Sequence, residues 1–357
     1  APAVDALRAE AEEALAAGPF SVTDKAVPAP SGDHHDYVSF GTYWWPDPDA
    51  PDGLPYIRRD GERNPEFLND ARADTPRLRR MGAAVEALAQ AHYFRASDAR
   101  YVEHAAALVR TWFVTPATRM NPHLAYGQAI PGRVTGRGIG IIDTSRLVYL
   151  VDAVGLLEGD GAWTAEDRGG LIAWFEAYLD WLLTSSHGQD ERATTNNHGT
   201  WYDAQVASFA LLVGREDVAG EVLAEVPARR IDPQIAPDGR QPEELARTRA
   251  LSYSIFSLSA LCCLAAMGEG VGVDLWGYRS PNGASIPAAI DWLLPYADAA
   301  RAWPYPQLDP VDRLDLLPIL YQARRAYGDA RYHRAIEALE AQRVAAHRAT
   351  LLYATDA

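Results

Sequence analysis

Cysteine is nearly missing from this 357-residue chain: the two present, Cys262 and Cys263, are neighbours. A vicinal disulfide is sterically awkward and two thiols do not complete a tetrahedral site, so neither a disulfide framework nor a zinc module organises the chain. Both fall in the apolar run from Ile255 to Met267 and read as core residues. Lysine is rarer still. Lys25 is the only one, so almost every cation is a guanidinium, a group suited to bidentate carboxylate binding, although codon bias yields the same arginine-rich, alanine-rich composition. Positive charge as a whole is short, with 33 Lys and Arg against 48 Asp and Glu. The net charge of −15 argues against a general nucleic-acid or anionic-membrane surface, while a local basic cleft for an anionic substrate remains compatible with it. No apolar stretch is read as reaching membrane-spanning length. The chain opens at Ala1-Pro2-Ala3 without a leader, as expected of a mature secreted or periplasmic protein and equally of a shortened chain.

What is present is a globular composition, 48% hydrophobic and 23% charged, in a length that supports one large core or two domains. Strand alternation is absent and a helical rhythm takes its place. After a first helix from Val4 to Ala17, helices are predicted from Thr75 to Arg95, Ala99 to Val114, Ile141 to Leu157, Ala165 to Ser185 and Asn197 to Val213. Others are predicted from Arg215 to Val226, Leu251 to Met267, Ile286 to Tyr296, Asp312 to Tyr327 and Ala330 to Tyr353. No fixed-period repeat survives, which disfavours a short-repeat solenoid. The expectation is one all-α domain over 1–357, with ten or more antiparallel helices closed into a toroid. Residues 18–64 differ, being dense in proline and carrying Tyr43-Trp44-Trp45. So many breakers forbid a long helix and so many rings argue against disorder, so an ordered aromatic loop is expected there.

Three stretches carry chemistry. Thr194-Thr195-Asn196-Asn197-His198-Gly199-Thr200-Trp201-Tyr202 gathers amides, an imidazole and rings at a helix entrance, with Asn197 and Trp201 on one face and His198 and Tyr202 on the next. The plainer alternative is an N-cap before an ordinary amphipathic helix, with His198 a satisfied buried histidine. The long joint from Asn121 to Gly140 presents Tyr126, Gln128, Arg133 and Arg137. Its Gly-Arg-Gly-Ile-Gly run follows no strand and lacks Gly-Lys-Ser/Thr, so a phosphate loop is disfavoured. The third stretch runs from Asp238 through Arg240, Glu244, Arg247 and Arg249 to Tyr253. Helical spacing puts Arg249 one turn before Tyr253, and a guanidinium beside a phenol favours the phenolate that a base requires. A surface arginine stacked on a buried ring gives the same spacing.

Together these stretches resemble the alginate lyase superfamily of polysaccharide lyases, in the branch that includes mannuronan and glucuronan lyases. The resemblance rests on Asn197-His198 with Trp201, on Glu244-Leu245-x-Arg247-x-Arg249-Ala250-Leu251-x-Tyr253, on Tyr37-Val38-Ser39 before Tyr43-Trp44-Trp45-Pro46-Asp47-Pro48, and on Gln128-Ala129-Ile130-Pro131-Gly132. It runs from Ser21 to Gln307. It implies an incomplete (α/α) toroid with the polymer in an open groove and β-elimination at a 4-linked uronate, mannuronate blocks favoured. Carried over residue by residue, Asn197 and His198 neutralise the substrate carboxylate and Tyr253 is base and then acid, with Arg247 or Arg249 assisting. In the family's periplasmic mannuronate lyases the assisting arginine stands seven positions before the tyrosine, where this chain has Ala246. His35, Tyr43, Trp44, Trp45, Tyr126, Gln128, Arg133, Arg137, Trp201 and Arg240 are the implied contacts to substrate. No cofactor or metal is expected, and His34-His35 are not spaced for ligation with an evident third partner. The partner is an anionic polysaccharide, not a nucleic acid or a membrane. From other classes, a glycan-binding protein without catalysis or an (α/α) glycoside hydrolase remains, the latter drawing its carboxylates from Asp143, Asp203, Glu243 and Glu244.

Overall fold

Helix-forming segments with apolar faces and clear caps account for most of the chain in the computed structural model, which describes residues 1–96 and 98–353. Residues 97 and 354–357 of the expected 1–357 domain lie outside the described residues. Contacts within the chain gather into two compact units. One comprises Ala1–Leu7, Thr194–Ala207 and the chain from Glu216 onward, and the other comprises Arg8–Ala193 and Ser208–Arg215.

In the second of these units, helices Thr75–Ala91, Ala99–Val109, Leu147–Gly155 and Ala165–Thr184 supply the core. Thr164 and Asp167 form a capping box that starts the last of them, satisfying N–H groups that the helix leaves unpaired. Rings of Phe113, Trp174, Phe175, Tyr178 and Phe209 pack against one another at its centre. The proline-rich stretch is ordered by local pairing. Val38–Phe40 runs parallel to Tyr126–Ala129, and Trp44–Trp45 runs antiparallel to Ile57–Arg58. Lys25 is the stitch at its base: its fully buried ammonium donates to the Val22 and His34 carbonyls and pairs with Asp74 at 3.1 Å. Burial pushes the Asp74 carboxyl up to about 6 against the pull of Lys25.

The unit that contains Asn197 is built on the 22-residue helix Ala250–Val271, which ends at Gly272 in the left-handed conformation. This helix corrects the expectation drawn from apolar runs: it is long and apolar enough to cross a membrane by length and composition, and most of its apolar window is buried. An apolar helix of that kind also serves as a core element. Cys262 is buried in it and Cys263 half-buried, both as free thiols. The continuous helix expected from Ala330 to Tyr353 is instead three short ones, Ala330–Glu337, Ala341–Ala346 and Ala349–Leu352. No glycine or proline marks these breaks. Tertiary contacts set them: Leu339 turns inward, and Arg343 reaches back to Asp312.

Candidate active site

The entrance of helix Asn197–Leu212 is set by Asn196, whose side-chain oxygen accepts the His198 N–H at 3.1 Å. That cap turns Asn197 inward. Its backbone N–H donates to Glu244 Oε1 at 2.7 Å and its Nδ2 to Glu244 Oε2 at 2.8 Å, while its Oδ1 is buried with no partner. Asn197 is only 1% exposed and Glu244 only 2%. Burial raises the Glu244 carboxyl above the usual carboxylate range, opposed by the Asn197 hydrogen bonds and by the nearby charges of Arg247 and His198. His198 itself is half-buried.

Glu244 belongs to the short helix Pro242–Leu245, and the chain then leaves helical geometry until Ala250. Within that turn Arg247 folds back over Tyr253, its Cζ 4.1 Å from the ring centre and its Nη2 donating to the phenol oxygen at 3.1 Å. Arg249 is the N-cap residue of the helix, its carbonyl accepting the Tyr253 N–H at 3.0 Å, but its own φ −127° and ψ 50° are not helical, so its side chain leaves the face that the one-turn spacing assumed. Its backbone bridges Gln307 and its guanidinium pairs with Asp309. Gln307 Oε1 accepts the Leu251 N–H at 3.0 Å, closing one of the free donors of the first turn.

Two other predicted contacts in this unit have different surroundings. Trp201, expected to contact substrate, is instead 2% exposed, its ring tilted against Phe256 at 4.9 Å and its Nε1 donating to the Phe256 carbonyl, so it is a core residue. Arg240 is exposed, paired with Asp238 at 2.7 Å and hydrogen-bonded to Tyr305. Gly239 before it has φ +86° and lies where a Cβ would come within 2.0 Å of the Ala288 carbonyl oxygen, so this turn admits only glycine.

The remaining predicted contacts lie in the other unit, where one cluster forms around Trp44. Arg133 and Arg137 approach its ring at 5.2 and 5.9 Å, and Arg137 donates to the backbone and side-chain oxygens of Gln128. Gln128 has φ 48°, the only non-glycine with positive φ among the described residues, and it is held there by Ser39 Oγ and Asp143. Trp45 donates to the Glu62 carbonyl under Arg59, and His35 meets the Arg119 carbonyl at 2.6 Å. Tyr43 and Tyr126 are half-buried. No group of three His, Cys, Asp or Glu with metal-binding geometry occurs among the described residues.

Glu244 entered the sequence reading as the first residue of the Glu-Leu-x-Arg motif and as a hydrolase carboxylate, and its pairing with Asn197 was missed, because no local signal ties it to a residue 47 positions earlier.

Residues 21–303 match the family model described as alginate lyase. An alginate lyase from Pseudomonas syringae pv. tomato is 33% identical over 132 residues, which is 36% of this chain and 33% of that protein. A second from Pseudomonas syringae pv. syringae is 30% identical over a segment of the same length. The matched segment thus spans about a third of the length of these curated relatives. Among solved structures, an alginate lyase from Bacteroides ovatus superposes with a TM-score of 0.94 at 40% identity, covering 99% of this chain and 93% of that one. Alginate lyase A1-III, in a substituted form complexed with tetrasaccharide, superposes at 0.60 with 16% identity over 99% and 94% of the two chains, a likeness of fold alone. The fold class is therefore all-α of the (α/α)-toroid type. With a family model matched over most of its length and a structural relative covering nearly all of it, the chain belongs to the alginate lyase family.

Proposed function

We propose that the chain is a polysaccharide lyase that cleaves a 4-linked polyuronate, alginate with mannuronate blocks favoured, by β-elimination. One observation carries the reading. Glu244 and Arg247 stand three residues apart in one turn of chain, and the first holds the Asn197 amide while the second holds the Tyr253 phenol. Amide, imidazole, guanidinium and phenol thereby share one locality, and these are the groups such an elimination uses.

The C5 proton of a uronate is weakly acidic because the adjacent carboxylate already carries charge. Asn197 and His198 offset that charge as it grows into the carbanion's enolate form, and a preorganised donor of this kind is worth about 10² to 10³ in kcat. Tyr253, as phenolate, takes the C5 proton, with Arg247 beside its oxygen to balance the charge. The C4–O4 bond breaks, a C4=C5 double bond forms, and the phenol returns its proton to the departing O4. In mannuronate the C5 hydrogen and O4 lie on the same side of the ring, so one phenol serves both steps. Within its own unit, Trp44 with Arg133 and Arg137 combines an aromatic ring with two cations, a pairing suited to acidic sugars. The names of the relatives point to the same polymer, and a polymer substrate puts the enzyme in the secreted or periplasmic space.

The hydrolase alternative finds little support in the carboxylates. Asp203 is bound to Arg230, Asp143 accepts from Ser39, Tyr37 and Gln128, and Glu244 is bound to Asn197. The test is incubation with polymannuronate, polyguluronate, mixed alginate and glucuronan, following the ultraviolet absorbance of the unsaturated uronate. Wild type generates absorbance, and Tyr253→Phe loses about 10² to 10⁴-fold with unchanged thermal unfolding. New reducing ends without absorbance, or a fully active Tyr253→Phe, overturn the reading.

A further inference from the structure

The Asn197 amide has its polarity reversed for the work just assigned to it. A substrate carboxylate needs N–H groups, yet the amide nitrogen faces Glu244 Oε2 and the atom left without a partner is the oxygen, Oδ1. An incoming carboxylate would be repelled there. The backbone N–H of Asn197 commits Glu244 Oε1 to accepting. Oε2 is not so committed. With a proton on Oε2 the same contact is made by O–H donating to the amide oxygen, and the amide, whose two ends are nearly the same size, turns half a revolution without changing the packing. Nδ2 then stands where Oδ1 stood and presents N–H groups in place of an unpartnered acceptor.

The surroundings of Glu244 agree with a proton there. It is 2% exposed, and its hydrogen-bond partner is a neutral amide. The titratable groups facing it are His198 from the entrance of the Asn197–Leu212 helix and Arg247 from the turn after its own short helix, and both favour the carboxylate. Burial outweighs them. An arriving substrate carboxylate is a like charge and pushes Glu244 further toward its acid form. Proton uptake and substrate binding therefore reinforce each other.

We propose that Glu244 is a positioning residue: it takes a proton from solvent as the substrate carboxylate arrives and thereby turns the Asn197 amide so that Nδ2 meets that carboxylate. The proton stays on Glu244 Oε2 through the elimination and returns to solvent on product release. This rests on the polyuronate lyase reading above.

Glu244→Gln tests it, because a glutamine accepts from the Asn197 backbone N–H and donates to the amide oxygen at every pH. The wild type loses kcat/KM as rising pH strips Glu244 of its proton, and Glu244→Gln lacks that loss and stays well above Glu244→Ala in kcat. Glu244→Ala, which leaves the amide unheld, falls by about 10² to 10³-fold in kcat. Binding is read separately by calorimetry of a mannuronate oligomer with Tyr253→Phe in two buffers of different ionisation heat. Tyr253→Phe takes up protons on binding, and adding Glu244→Gln reduces that uptake. A folded Glu244→Gln as inactive as Glu244→Ala, an unaltered pH profile, or equal proton uptake with and without Glu244 overturns the inference while the lyase reading stands. A wild type that neither binds nor cleaves any uronate removes the lyase reading, and the inference with it.

Discussion

Asp203 and Glu244 are buried carboxylates of the same unit, and they meet opposite partners. Asp203 is held by the Arg230 guanidinium, with Nε 2.6 Å from Oδ2 and Nη2 3.1 Å from Oδ1, and Arg230 gives its Nη1 to the Thr194 carbonyl at 2.7 Å. Charge meets charge and the guanidinium is engaged on every side. Glu244 meets a neutral amide that retains an unanswered oxygen. A closed pair of buried charges holds the backbone beneath the Asn197–Leu212 helix in place, and breaking it leaves an uncompensated charge. An open pair leaves one acceptor of the Asn197 amide unanswered, which is the feature that the proposed role of Glu244 explains.

Substitutions can break the comparison from either side. The largest expected effect is on stability: Arg230→Ala strands Asp203 and costs about 3 to 5 kcal/mol, read by denaturant unfolding, while the fraction that remains folded keeps its kcat. Arg247→Ala does the reverse. It lowers kcat by about 10² to 10³-fold with little change in unfolding midpoint, and Arg249→Ala, whose guanidinium pairs with the half-exposed Asp309, costs less in kcat. Gly199 joins the two regions, since a Cβ there would come within 2.3 Å of both Arg230 Nη1 and the Thr194 carbonyl oxygen. Gly199→Ala is expected to cost about 1 to 3 kcal/mol and to lower activity at the same time, measured by paired unfolding and rate assays.

The smallest effect lies in the other unit and depends on pH. Hydrogen bonds from Arg110 hold the Asp167 carboxyl down to about 2. Because its folded value is below the unfolded one, it contributes stability that is present above the ordinary carboxylate range and lost as pH falls through about 2. The melting temperature therefore declines over that acid window, and Asp167→Asn removes part of the decline.

Much of the local structure was legible from the chain. An N-cap was expected ahead of Asn197 and Asn196 provides it, and the helices expected between Thr75 and Tyr327 occur near their expected places. The misses have one kind of cause. Trp201 shares a helix face with Asn197, as its spacing requires, but what covers that face is Phe256, 55 positions away. Arg249 stands one turn before Tyr253, yet its own backbone is not helical and its guanidinium pairs with Asp309, while Arg247 from the preceding turn reaches the phenol. The last predicted helix contains no breaker and is broken by contacts made elsewhere.

Residue order alone was enough for the helical class, for the cap ahead of Asn197, for the family resemblance and for naming Asn197, His198, Arg247 and Tyr253 as candidates. Those properties depend on neighbours a few positions apart, where backbone geometry and periodicity act directly. Only the tertiary structure decided which guanidinium meets the phenol, which tryptophan is core, and that a buried carboxylate grips the amide. Such pairings join atoms brought together by packing, and burial then sets the strength and sign of their electrostatics in a way no local pattern encodes.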